Sequence, residues 1–210
     1  MKGCLITLEG GEGAGKSTLL AGLRNHFERS GLDLLYAREP GGTPVGEVIR
    51  TLVLDPRYRG IAAETELLLM FAARAQLVRE VLQPALAAGR WVLCDRFTDA
   101  SYAYQGGGRG VDIAYIAALE RIATEGLKPD LTLLLDISVS HGRARANERG
   151  DSDRIEVEHD DFFERVRSAY RARAQAEPHR FHVIDATLPA ASVLQAAVVA
   201  IDALRKRIAA

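Results

Sequence analysis

Five short apolar runs punctuate the chain: Cys4–Glu9, Leu32–Ala37, Trp91–Asp95, Leu131–Ile137 and Phe181–Asp185. Between them apolar residues recur at helical spacing, as in Leu19, Leu20, Leu23 and Phe27, or Leu77, Val81, Leu82 and Leu86. This spacing predicts helices over Ser17–Arg29, Thr65–Ala88, Ile113–Thr124, Phe162–Ala176 and Ser192–Ile208. Near-continuous apolar strands alternating with helices imply an α/β fold, a five-stranded parallel sheet with helices on both faces in three layers. Such sheets bind ligands beyond the carboxyl ends of their strands. The least ordinary segments of the sequence sit there: GGEGAGKS, REPGGT and DRFTDASYAYQGGGRG.

Two hundred and ten residues suit one domain, residues 1–210, and neither a repeat nor a linker interrupts them. Lys and Arg total 27 against 28 Asp and Glu, without the basic excess of a nucleic-acid binder. Any phosphate site must therefore concentrate its cations locally. Cys4 and Cys94 lie in separate apolar runs and form neither a metal motif nor a disulfide framework. His179 and His182 have no acidic or sulfur partner in register. With no secretory leader and no apolar stretch of ~18 residues, the chain reads as cytoplasmic, without a membrane partner.

Residues Gly10-Gly11-Glu12-Gly13-Ala14-Gly15-Lys16-Ser17 match GxxxxGK[ST] in full, between a strand and a helix and followed by Thr18. The glycines let successive N–H groups turn toward an anion, and the next helix adds its positive N-terminus. Lys16 is expected to reach the β- and γ-phosphates of ATP, and the Ser17 hydroxyl to ligate Mg²⁺. A P-loop also serves switches and motors. However, Asp136-Ile137-Ser138-Val139 offers no guanine-reading segment, and a motor needs more chain. A kinase with a second anion site remains. Arg50, Arg74 and Arg96, beside or between the strand ends, suit a clamp on a phosphate dianion.

The combination GGEGAGKST, REPGGTPVGEVIR, LLLMFAARAQ, CDRFTDASYAYQGGGRG and RGDSDRIE resembles the bacterial thymidylate kinases, in the family's order and over nearly the whole chain. The resemblance implies the P-loop kinase fold, ATP and dTMP as substrates with Mg²⁺, and a homodimer. It also implies that Arg74 and Arg96 hold the acceptor phosphate with Arg50 nearby, and that Glu39 is the acid of the substrate loop. Asp95 resembles the carboxylate that organises Mg²⁺, preferred over Asp136 because of the Asp-Arg dipeptide. Ser101 and Gln105 resemble the readers of the thymine edge, and Tyr104 the ring that crowds the sugar 2′ position. Where the family commonly places a stacking Phe, this chain has Met70. Phe71 shares a helix face with Arg74 and is expected to cover the base instead.

Transfer to an anionic phosphate oxygen needs positioning and charge neutralisation more than a strong base. Glu12 occupies the P-loop position where some family members carry a catalytic cation. The polar run Arg143, Arg145, Arg149 and Arg154 resembles a lid, at about 143–156, that supplies the cation instead. Arg149 is the first choice and Arg154 the second. The segment Arg143–Asp161 is too polar, on this reading, for a core. The alternatives are a kinase for another pyrimidine monophosphate and a non-catalytic nucleotide-regulated module on the same fold.

Overall fold

The structure, a computed structural model, describes residues 3–30, 33–147 and 153–209. Strands β1 (Cys4–Gly10), β2 (Leu34–Arg38), β3 (Trp91–Asp95), β4 (Leu131–Asp136) and β5 (Phe181–Asp185) form one sheet in the order β2-β3-β1-β4-β5. Every pairing is parallel. Helices α1 (Lys16–Ser30), α2 (Pro44–Leu54), α3 (Ala63–Leu77), α4 (Gln83–Ala87), α5 (Thr98–Ser101), α6 (Ile113–Thr124), α7 (Val139–Asn147), α8 (Asp160–Ala176) and α9 (Ala190–Ala209) surround it.

The central position of β1 explains its sequence, since all seven of its residues are buried. Alternate side chains enter opposite layers. Cys4, Ile6 and Leu8 pack with Leu23 and Phe27 of α1 and Ile201 and Leu204 of α9. Leu5 faces the other way, toward Leu77 at the end of α3 and Val78 and Leu82 just after it. Thr7 shares that second face and meets Thr132 across the strands at 2.9 Å. Edge strand β5, by contrast, buries only Phe181 and Ile184 and leaves Val183 and Asp185 exposed.

The long helix expected over Thr65–Ala88 is divided. Pro84 has no N–H to donate, and the chain widens into a π-helical turn at Val78–Leu82 before α4 begins. Besides the short α5, two helices lie outside the periodic set. Thr43 caps α2 by accepting from Gly46 N at 3.0 Å, with Pro44 in the first turn. The other is α7, which runs into the start of the charged segment.

Three of the four glycines of YQGGGRG, Gly106, Gly107 and Gly108, belong to a second π-helical stretch, Tyr102–Gly108, against which α8 packs. A Cβ on Gly108 would stand 2.4 Å from Cε2 of Phe162, so this glycine serves the approach of a helix rather than a loose loop. Among the described residues, no helix is long and apolar enough to cross a membrane.

Candidate active site

The register aligns the strand ends, pairing Arg38 with Asp95 and Leu8 with Asp95. The ladder continues one step beyond them, through Glu39 N to Asp95 O at 2.9 Å and Arg96 N to Leu8 O at 3.0 Å. The loops after β1, β2 and β3 therefore open onto one cavity of about 770 Å³. Glu12, Gly13, Ala14, Gly15, Lys16, Ser17, Thr18, Glu39, Arg50, Met70, Arg74, Asp95, Arg96, Ser101, Tyr104 and Gln105 all line it. Gly10 and Gly11 complete the loop behind this lining.

The P-loop takes its shape from glycine. Gly13 has φ 67°, and a Cβ there would fall 1.8 Å from Gly142 O of α7. Lys16 Nζ donates to Gly10 O and Gly11 O, both at 3.0 Å. Burial, with the Arg96 cation nearby, pushes its pKa down to about 8. Glu12 shows the opposite balance. Burial raises it, but Lys16 and Arg96 outweigh burial and pull its carboxyl down to about 2. Burial and the charge on Glu12 push the adjacent Glu156 up.

Arg96 stands in the left-handed region at φ 68°, one of two non-glycine residues there among the described residues. Its NH2 donates to Glu12 Oε1 at 2.8 Å and to Tyr104 OH at 3.0 Å; NH1 donates to Gly10 O at 3.1 Å and Tyr170 OH at 3.2 Å. The fully buried Glu9 secures this turn, accepting Phe97 N and Tyr170 OH, each at 2.7 Å. Burial, and then Asp99, raise Glu9 to about 8. Glu9 was not singled out in the sequence. Its signal is a carboxylate closing an otherwise apolar strand.

At the inner end, Arg74 is 2% exposed. Its Nε donates to Glu39 Oε2 at 2.7 Å, NH1 to Ser101 Oγ at 2.9 Å and NH2 to Phe97 O at 2.9 Å. Asp95 Oδ1 and Glu39 Oε1 are buried without a hydrogen-bond partner among the described residues. Such an orphaned carboxylate oxygen at the cavity fits a cation and its water, with Ser17 the second oxygen donor. Asp136 differs, since Arg167 takes both of its oxygens at 2.7 and 3.0 Å and it lies off the main cavity. Among the described residues, no group of three or more His, Cys, Asp or Glu is placed to hold a metal unaided.

Three expectations require correction. Phe71 does not reach the cavity; it packs with Leu67, Tyr102 and Ile116 and lies under the Arg74 guanidinium at 4.5 Å. Met70 takes the lining position, because the helix face bearing Arg74 is split between cavity and core. The charged run is also not wholly solvated. Arg154 is 3% exposed and Ile155 is buried, with Arg154 N bonded to Leu54 O at 2.9 Å and Nε to Val53 O at 2.6 Å. Arg154 itself does not line the cavity, which weakens it as a catalytic cation. Arg149 lies outside the described residues.

The sequence also left the rim beyond β5 unread. Ala186, Thr187, Leu188, Pro189, Ala190 and Val193 line it, directly after β5, and Arg145 NH1 donates to Ala186 O at 2.9 Å. The rule that ligands sit beyond strand ends could have found it.

The chain matches the family model described as thymidylate kinase over residues 8–197. It is 53% identical over 196 residues to the thymidylate kinase of Halorhodospira halophila, covering 92% of this chain and 91% of that one. To that of Pseudomonas putida strain F1 it is 55% identical over 208 residues, covering 97% and 95%. The crystal structure of thymidylate kinase from Ehrlichia chaffeensis superimposes with a TM-score of 0.77 at 29% identity, covering 96% of this chain and 99% of that one. With that breadth of match laid over a P-loop cavity and an arginine-rich inner end, this chain belongs to the thymidylate kinase family.

Proposed function

We propose that this chain transfers the γ-phosphate of ATP to dTMP, making dTDP for the supply of dTTP. The observation that carries this reading is a single cavity with a P-loop at one end and the buried Glu39–Arg74–Ser101–Gln105 set at the other. In this reading the loop amides and Lys16 hold the donor phosphates, while Arg50 and Arg96 face the acceptor phosphate. Magnesium, held by Ser17 and by Asp95 through water, supplies charge neutralisation at the phosphate oxygens when bound. Arg74, enclosed with Ser101 and Phe97 O, suits the base end better than the phosphate. Met70 covers the base, and Tyr104, fixed by Arg96 and Glu12, stands where a ribose 2′-hydroxyl would press.

Glu12 brings negative charge into the loop, so the cation for the transition state comes from elsewhere. Arg149 takes that role in this proposal. Val45, Val48 and Leu52 of α2 and Leu68 of α3 expose apolar side chains, which suits the homodimer that the family resemblance implies. A cytoplasmic location agrees with substrates of this kind. A coupled ADP-release assay over dTMP, dUMP, dCMP and UMP tests the reading. Saturable turnover that favours dTMP is expected. Preference for dCMP or UMP would make the chain a neighbouring kinase, and no turnover with any of them would make it a binding module.

A further inference from the structure

A buried carboxylate that does not line the cavity stands directly behind its inner wall. Glu66 of α3 is 1% exposed. Its Oε1 accepts Gln105 Nε2 at 2.9 Å and Arg109 Nε at 3.4 Å. Its Oε2 accepts Arg154 NH2 at 2.5 Å and lies 3.3 Å from Arg109 NH2. Arg109 is in turn paired with Glu158, so two guanidinium groups and two carboxylates balance in charge.

An ionised carboxylate only accepts hydrogen bonds. Burial raises the pKa of Glu66, but the donors from Gln105, Arg154 and Arg109 outweigh burial and hold it below the usual carboxylate range. The Gln105 atom facing Glu66 must therefore be the amide nitrogen. Gln105 lines the cavity, and its Oε1 accepts no hydrogen bond among the described residues. What it turns toward a ligand is a carbonyl oxygen. Beside it, Ser101 Oγ accepts from Arg74 NH1, which leaves the serine proton free to be donated. The inner end thus presents an acceptor from Gln105 next to donors from Arg74 and Ser101.

We infer that Glu66 is a specificity-positioning residue, which fixes the Gln105 amide so that the pocket selects a pyrimidine with N3–H and a 4-carbonyl over a 4-aminopyrimidine. The inference rests on the dTMP reading and deepens it. A cytosine would bring an unprotonated N3 to the Gln105 oxygen and an amino group to the Arg74 and Ser101 donors. Both mismatches leave buried polar groups unpaired, the situation in which a site rejects an analogue most strongly. A glutamine at 66 would remove this constraint, because its amide offers either a donor or an acceptor and lets Gln105 turn over.

The test compares kcat/KM for dTMP and dCMP in the wild type, Glu66→Gln and Arg154→Met. We expect the dTMP:dCMP ratio to fall at least about tenfold in Glu66→Gln, mostly through a gain with dCMP. Arg154→Met disturbs only the Oε2 side of the cluster and should lose stability while keeping the wild-type ratio. If Glu66→Gln strands Arg154 and does not fold, Glu66→Gln/Arg154→Met replaces the pair with neutral groups and reads the same ratio. A folded Glu66 variant with the wild-type ratio overturns the inference, as does an equal shift in Arg154→Met. A wild type without preference for dTMP sinks the parent reading instead.

Discussion

At the acceptor end of the cavity, Glu39, Arg74, Ser101 and Gln105 are more than nine-tenths buried and bound to one another or to Glu66. At the donor end proposed above, Ser17 and Thr18 are exposed, and the curve of the loop is set by glycine conformations. One end is thus an extension of the core, while the other is a backbone loop on a helix N-terminus. A substitution in the first should change stability along with recognition. In the second, rate and stability should separate.

The largest effect expected is at the donor end. Lys16→Ala should lower kcat by about 10³-fold or more, roughly 4 kcal/mol of transition-state stabilisation. Its unfolding midpoint should stay near that of the wild type, because burial already disfavours the lysine charge. Loss of several kcal/mol in a urea titration of this variant would erase the contrast between the two ends.

Arg74→Met tests the other half. It strands the buried Glu39 carboxylate, so stability should fall by about 3–5 kcal/mol along with dTMP binding. Adding Glu39→Gln should restore part of the stability. An Arg74→Met protein as stable as the wild type would mean that this end is not part of the core.

The smallest effect concerns pH. Lys16 is protonated below about 8 and loses its charge as pH rises through that value. In free enzyme, kcat/KM for ATP should therefore fall about tenfold per unit well above pH 8. Glu9 also titrates near 8. Glu9→Gln separates the two, since an inflection that persists belongs to Lys16 and one that vanishes belongs to Glu9.

Legibility in the sequence followed the same division. Trp91–Asp95 coincides with its strand, and β1 and β4 differ by one residue at an end, because sheet interiors demand unbroken apolar runs; the edge strand Phe181–Asp185 coincides as well. The P-loop was legible for a related reason, as its glycines and lysine are fixed by backbone geometry. Contacts between distant segments left no local trace. Nothing near Arg154 announces Glu66, and nothing in the spacing of Met70 and Phe71 tells which of the two faces the cavity. The helix α7 was hidden because its sequence, VSHGRARAN, has almost no apolar stripe. Its two buried residues are Val139 and Gly142.

That buried glycine constrains the nucleotide site from outside it. A side chain at position 142 would press on Glu12 O, just as one at position 13 would press on Gly142 O. Positions far apart in the chain therefore exercise a mutual steric veto, and neither can drift in sequence while the other holds its place. A variant of Gly142 would present itself as an ATP-affinity defect without touching ATP. Anyone replacing α7 with a foreign helix would have to carry this glycine along for the phosphate loop to keep its curve.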